Sequence, residues 1–475
     1  MPPDRRSFLL STMNTTPTSH PQSILARTLC LGTGLAWSSL SFAQAPVPTD
    51  PATPLVIPQA QPPAEPQAPV SPLAADAAPR VSTLRIPAGA LQPDIAVDST
   101  GRVHLVALVG DSTRADIEYR LRAPGTPGDP GDPGDSDFGP PIRVNSQPGS
   151  ATGAGATGGP RLALGKDNVV HVVWVGSESA QPRATPDPRP RDRMYKDATP
   201  LLYARLVDSK PTEQRNLLAS ALTLGAGPAI LAADDGRVLV FANADQNIPM
   251  RNMESSRRIF LAESKDNGVT FAPERIAAPP NLNSRTNGAT ESAPPVAVFD
   301  AKGAIHVLYR AAGGNAFRSV QRMTSRDAGK TWLLGELDQW RERSVPTSTL
   351  ALARRNTTLL AAWQTRELNI EVGVLAAPDA PPKSVFTMPR DVGPAGVRRD
   401  PVLLVSPAGF TLVAWSTITA GADDATPAKA HAICWQLFDA EGRLVRGASG
   451  VASDLPIATR AAGWVNPDGT FSLIY

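Results

Sequence analysis

Short apolar runs separated by turn residues dominate the chain, and seven of them share one pattern. A proline or small residue opens an apolar run, and a turn follows. A second apolar run then ends in an aromatic or small residue. The clearest copies are Pro93–Gly101 leading into Val103–Val106 and Pro160–Asn168 leading into Val170–Trp174. Three more are Pro228–Gly236 into Val238–Phe241, Pro295–Gly303 into Ile305–Tyr309, and Pro401–Gly409 into Thr411–Trp415. Weaker copies begin at Thr349, with Thr357 at the turn, and at Ala461, with Gly469 at the turn. The turn residue lies 8 positions after the start in every copy, whereas successive starts lie 67, 68, 67, 54, 52 and 60 residues apart. A fixed internal offset with variable spacing is the mark of one supersecondary unit repeated with loops of different length.

Each copy reads as two antiparallel strands joined by a tight turn whose last position, usually Gly or Asn, suits positive φ. Third and fourth strands follow, for example Ile117–Leu121 and Pro141–Val144 in the first copy, and Ile259–Glu263 and Glu274–Ile276 in the third. No segment sustains the 3.6-residue period of a long helix. Four antiparallel strands per unit, repeated radially, predict an all-β fold, a β-propeller. Seven blades are expected, or six if the Thr349 copy is not a blade. The last copy supplies only two strands before Tyr475, and Val81–Pro87 is a spare strand ahead of the first copy. It is expected to complete the last blade and so remove an open sheet edge.

Composition sets the surroundings of this domain. Of 475 residues, 41% are apolar and the formal net charge is +2, which points away from nucleic acid. Residues 24–42 are mostly apolar or small, and Ala43-Gln44-Ala45 fits a small-x-small cleavage site, so residues 1–45 read as an export signal. Arg5-Arg6 ahead of Ser7, Phe8 and Leu9 is similar to a twin-arginine signal; the polar residues between it and the apolar stretch fit a misplaced start codon equally well. Residues 46–80, rich in Pro and Ala, read as an extended linker. The 81–475 domain is therefore expected in the periplasm or outside the cell. No later segment is long enough to span a bilayer. Removing the signal takes Cys30 and leaves Cys434 alone, so no internal disulfide can form.

Two segments carry a family resemblance. Ser264, Asp266, Gly268, Thr270 and Phe271, and likewise Ser325, Asp327, Gly329, Thr331 and Trp332, match Ser/Thr-x-Asp-x-Gly-x-Thr-aromatic. This resembles the Asp-box of sialidase-like, BNR-repeat propellers, and both copies fall between the third and fourth strands, where that family places them. The resemblance spans roughly residues 81–475. It implies a structural role for the box: Ser and Asp side chains cap hairpin N–H groups, and Gly takes the strained position. It also implies an active centre with three carboxylate-gripping arginines, a Tyr–Glu nucleophile and an acid/base Asp. Leu84-Arg85-Ile86-Pro87 looks like the motif holding the first arginine, but on an outer strand. Asp111 or Asp116 falls near the acid/base position. No tyrosine lies between Tyr309 and Tyr475, so the expected nucleophile is missing and the family's covalent route has no carrier.

Binding is thus the favoured expectation, with an exo-acting glycoside hydrolase as the alternative. Arg161, Arg310, Arg399 and Arg460 fall where first strands start or second strands end, so they are candidates to grip an anionic ligand with paired hydrogen bonds. Trp174, Tyr309, Trp363 and Trp415 end second strands and could stack on sugar rings; the ordinary alternative is packing between blades. His104, His171 and His306 share one repeat position with leucines elsewhere, which reads as a packing slot. No Cys/His metal cluster, phosphate loop or cofactor motif occurs, so no metal or cofactor is expected. The partner is expected to be a glycan or a cell-envelope or extracellular protein.

Overall fold

The computed structural model describes residue 79 onward, apart from 87–88, 125–137, 154–157, 185–198, 224–225, 246–256, 278–287, 291–292, 314–315, 343–346, 378–381, 420–429, 454 and 456–459. The export signal lies outside the described residues, as does the linker except for Pro79 and Arg80. From Pro79 the described chain is a seven-bladed β-propeller. Six blades have four strand positions running outward from the axis; in blades 2, 3 and 4 one position is split into two short strands, giving five strands. Blade 1 is Ala90–Val97, Val103–Asp111, Arg114–Arg122 and Ile142–Arg143. Blade 2 begins with Arg161–Leu164, blade 3 with Ala229–Ala232 and blade 4 with Val296–Phe299. Blade 5 begins with Ala351–Arg355, blade 6 with Val397–Val405 and blade 7 with Ala462–Val465. These innermost strands contact one another in cyclic order. No described helix is long and apolar enough to cross a membrane.

The Thr349 copy is a full blade of four strands, so seven is the count. Its hairpin is tighter than the others. Arg355 pairs directly with Thr358, and the positive φ of 54° falls on Asn356, one residue before the expected Thr357. The other six turns place positive φ on the expected residue: Gly101, Asn168, Gly236, Gly303, Gly409 and Gly469.

Val81–Leu84 does complete blade 7, as its third and outermost strand. It runs parallel to Phe471–Ile474, with Val81 opposite Phe471 and Leu84 opposite Ile474. Arg80 O and Leu84 O accept the Phe471 and Tyr475 amides at 2.9 and 3.1 Å, and Ile86 N–H donates to Tyr475 O at 2.8 Å. Every other residue therefore bonds inward, and the outer edge is short and flanked by Pro79, Arg80 and the exposed Arg85. Such an edge offers a poor template for another strand.

The core lies between blades. Each blade's face packs on the next, as where Trp174 joins Ile117 and Leu202, and Trp415 joins Val372 and Cys434. Polar staples reinforce the same seams. Ser264 Oγ donates to Asp266 Oδ1 at 2.8 Å and accepts the Gly268 amide at 2.9 Å; Thr270 caps Asp266 with its amide and hydroxyl at 2.9 and 2.6 Å. Ser325, Asp327, Gly329 and Thr331 repeat this pattern in blade 4. The Thr270 and Thr331 hydroxyls, followed by their amides, hold Asp266 and Asp327 down to about 2. Phe271 and Trp332 pack edge-on against Tyr203 and Phe241 of the preceding blade, with centroids 4.8 and 5.9 Å apart. The preceding blade also grips each turn: Arg205 donates to Asn267 O at 3.1 Å and Arg275 to Gly329 O at 2.7 Å.

The shared histidine position is more than an apolar slot. His171 bonds Tyr203 OH at 2.7 Å and, across the seam, Asn267 Oδ1 at 3.1 Å. Asn267 Oδ1 only accepts, so Nε2 of His171 carries the proton and Nδ1 accepts from the tyrosine. His104 and His306 reach back to the turn carboxylates Asp98 and Asp300 at 3.2 and 3.1 Å.

Two stability predictions follow from these seams. Gly268 has φ +75°, and a Cβ there would overlap the Tyr203 hydroxyl, whereas Gly303 has φ +78° and open space around it. Gly303→Ala should cost about 1 kcal/mol, the left-handed backbone penalty alone. Gly268→Ala should cost at least about 2 kcal/mol, because overpacking adds to strain; urea denaturation of the two variants reads the difference. Burial pushes the His171 imidazole from 6.5 down to about 4. Its neutral form is therefore the folded form, and acid favours unfolding. Stability should be unaffected above about pH 6.5 and fall by up to about 3 kcal/mol as pH drops towards 4. His104 and His306, also lowered by burial, act in the same direction. His171→Leu should lower stability at pH 7.5 yet flatten its slope between pH 6.5 and 4 in denaturation midpoints.

Candidate functional site

The seven innermost strands leave an axial cavity of about 240 Å³. Its wall repeats the sequence register. Pro93, Pro295, Thr349, Pro401 and Ala461, all repeat starts, line it, together with the residues that follow them: Asp94, Arg161, Ala229, Val296, Leu350, Val402 and Ala462. The wall is mainly a ring of proline and aliphatic carbon. Among the described residues, Asp94, Arg161 and Arg460 are its only charged ones.

The four candidate arginines divide. Arg161 lines the cavity and pairs with Asp94 at 3.6 Å, whose other oxygen accepts the Leu162 amide at 2.9 Å. Arg399 is not part of the wall; its Nε donates to Asp400 Oδ2 at 2.7 Å. Arg310 is not part of it either. It is buried between blades 4 and 5, donates to Ser348 O at 2.7 Å and lies 5.9 Å from the Trp340 ring. Burial pushes it down to about 10, against the pull of Asp400 and Asp338.

Arg460 is different. It lines the cavity, is 4% exposed, and neither Nη1 nor Nη2 has a hydrogen-bond partner; the terminal nitrogens of Arg310 also lack one, but Arg310 does not line the cavity. Burial, then the neighbouring Arg161, push it down to about 9, partly offset by Asp400 and Asp94. A buried guanidinium with two idle donors is costly unless something answers it. The candidate acids do not. Asp111 sits at an exposed hairpin tip, where the Thr113 amide and hydroxyl cap it at 2.8 and 2.6 Å. Asp116 accepts Asn145 Nδ2 and the Gly149 amide at 2.7 and 2.8 Å. Neither lines the cavity.

Asp94 and Asp400 are the acids that do flank Arg460, and the sequence reading passed over both. The signal was in the repeat. Asp94 holds in blade 1 the position that Arg161 holds in blade 2, and Asp400 precedes its repeat start just as Arg460 does. Equal repeat positions in adjacent blades lie side by side around an axis. Asp400 is buried at a positive φ of 54°, and its Oδ1 accepts the Thr349 amide at 2.9 Å. A non-glycine residue held there is stored strain, which clusters at binding sites.

The aromatic candidates follow the ordinary alternative. Trp174, Trp363 and Trp415 are fully buried in seams between blades, and Tyr309 packs against another. None lines the cavity. Among the described residues no cluster of His, Cys, Asp and Glu could hold a metal ion.

Fold and cavity together define the class, a seven-bladed β-propeller with an axial pocket. No protein-family profile matches the sequence, and no curated protein matches it. Solved propellers resemble it in shape. The lectin BP39L from Burkholderia pseudomallei is similar over 81% of this chain and 95% of its own, at 12% identity and a TM-score of 0.47. An α-L-arabinanase from Penicillium chrysogenum, solved with arabinobiose, is similar over 76% and 96%, at 11% identity and 0.44. A Hadza microbial sialidase, Hz136, is similar over 74% and 69%, at 12% identity and 0.40.

If Arg460 is kept for a ligand rather than for stability, removing its charge should cost the fold nothing. Arg460→Met, close in volume, should leave stability unchanged or raise it by about 1 kcal/mol, because an uncompensated buried charge is replaced by a packed side chain. Guanidinium denaturation without ligand measures this.

Proposed function

We propose that the chain is an exported, sialidase-like propeller that binds the acidic end of a glycan in its axial cavity. The observation that carries this reading is Arg460, buried in the cavity wall with both terminal nitrogens idle. A guanidinium fork pairs with a planar two-oxygen anion, and an apolar ring of prolines and aliphatic side chains suits the C–H faces of a sugar. The volume, about 240 Å³, is below the roughly 300–1,000 Å³ of sites for drug-sized ligands. One terminal sugar unit is therefore the expected occupant. With no aromatic platform among the described wall residues, affinity rests on charge and shape, and binding should weaken in salt.

The two Ser-x-Asp-x-Gly-x-Thr turns, stapled alike, support the Asp-box reading. The N-terminal charge and apolar pattern supports export to the periplasm or the medium. An envelope or extracellular glycoprotein presenting an acidic sugar fits as the partner. The hydrolase alternative needs a carboxyl free to give up a proton. Asp94 and Asp400 are each committed to an arginine and a backbone amide, which favours binding over turnover.

Calorimetry of the full chain with neutral and acidic monosaccharides tests the proposal. An acidic sugar should bind at least about tenfold tighter than its neutral counterpart, a gain of about 1.4 kcal/mol, and Arg460→Ala should abolish the difference. Equal affinity for both, or selectivity that survives Arg460→Ala, overturns the site. Turnover of a fluorogenic acidic glycoside that is lost in Asp94→Asn would replace the binding reading with the hydrolase one.

A further inference from the structure

The charges around the axis specify the ligand more closely. The cavity wall carries Asp94, Arg161 and Arg460. Asp94 and Arg161 form an ion pair and cancel. Behind the wall, Arg399 cancels Asp400 by direct contact. Further out, Arg310 faces Asp338 as well as Asp400, and Asp338 anchors on the Trp363 indole at 3.1 Å. Among these described groups the formal sum is +1; in the wall it is Arg460 that has no ion-pair partner, and both of its terminal nitrogens are idle, as are those of Arg310 outside the wall.

We propose that the site is built for a monoanion, the carboxylate or sulfate ester of one sugar unit, and that it discriminates against dianions such as a phosphate monoester. This rests on the axial binding reading above. A monoanion brings the buried constellation to neutrality and can use both idle N–H groups of Arg460. A dianion leaves one negative charge in a cavity whose described wall has no further unpaired cation, and a buried unpaired charge is heavily penalised. Asp94 and Asp400, on the blades either side of Arg460, add repulsion against a second ligand charge. They turn the site from a general anion trap into a counter of charge, which is specificity by unfavourable contacts.

A phosphate ester tests this within one molecule, because its second proton titrates near pH 6. Glucose 6-phosphate is mainly monoanionic at pH 5.5 and dianionic at pH 7.5, whereas glucose 6-sulfate and methyl glucuronide keep one charge at both. Among the described residues no histidine lines the cavity. Calorimetry on the full chain should show the sulfate and the glucuronide binding alike at both pH values. Glucose 6-phosphate should weaken about tenfold between pH 5.5 and 7.5, and Arg460→Ala should remove binding of all three. The sulfate and glucuronide arms tell the two sources of a monoanion apart. Glucose 6-phosphate binding as tightly at pH 7.5 as at 5.5, while the sulfate binds, overturns the charge count and leaves the binding reading standing. If none of the three binds at either pH and methyl glucoside does, the anionic reading of the site falls, and this inference with it.

Discussion

Closure of the ring is the constraint on which everything else depends. Only two strands of blade 7 come from the end of the chain; the third comes from its beginning, paired through Val81–Leu84 and Phe471–Ile474. That pairing ties the first blade's neighbour to the last and holds seven innermost strands at a fixed radius. The axial cavity exists because of it. So does the juxtaposition of Asp94 from blade 1 with Arg460 from blade 7, residues 366 positions apart in sequence. A slip in this strand would open a sheet edge and also pull one wall of the cavity away from the other.

The inner half of the fold was legible in the sequence because it obeys a strict rule. Two strands pack on both faces in every blade, so their apolar pattern and eight-residue offset recur, and turn glycines mark the hairpin ends. The outer strands carry little of this signal. Several are only two residues long, such as Arg215–Asn216 and Arg275–Ile276, and one side of each faces solvent. The N-terminal strand was legible as a strand but not in direction, since alternation reads the same both ways along a chain. Blade 5 shifted its turn by one residue because Asn356 accepts a left-handed backbone that Thr357 avoids.

The site was half legible. Repeat register pointed all four arginines towards the axis; Arg161 and Arg460 line the cavity, whereas Arg310 turns into a seam and Arg399 folds back onto Asp400. Those outcomes depend on side-chain direction and on the next blade. The histidines show the same limit. Their exchange with leucine across repeats pointed to packing, whereas the structure gives each a polar partner on a turn or the neighbouring blade. Asp94 and Asp400 were visible in the alignment of the repeats against one another and gained meaning only when adjacent copies became adjacent blades.

The central claim, that Arg460 holds an anion on the propeller axis, is tested most directly by diffraction from a crystal of the full chain soaked in sodium bromide. The account predicts an anomalous bromide peak inside the axial cavity, in contact with Nη1 and Nη2 of Arg460, with Arg161 still paired to Asp94. A cavity without bromide, with the Arg460 side chain turned to bond Asp400 or Asp94, would contradict it.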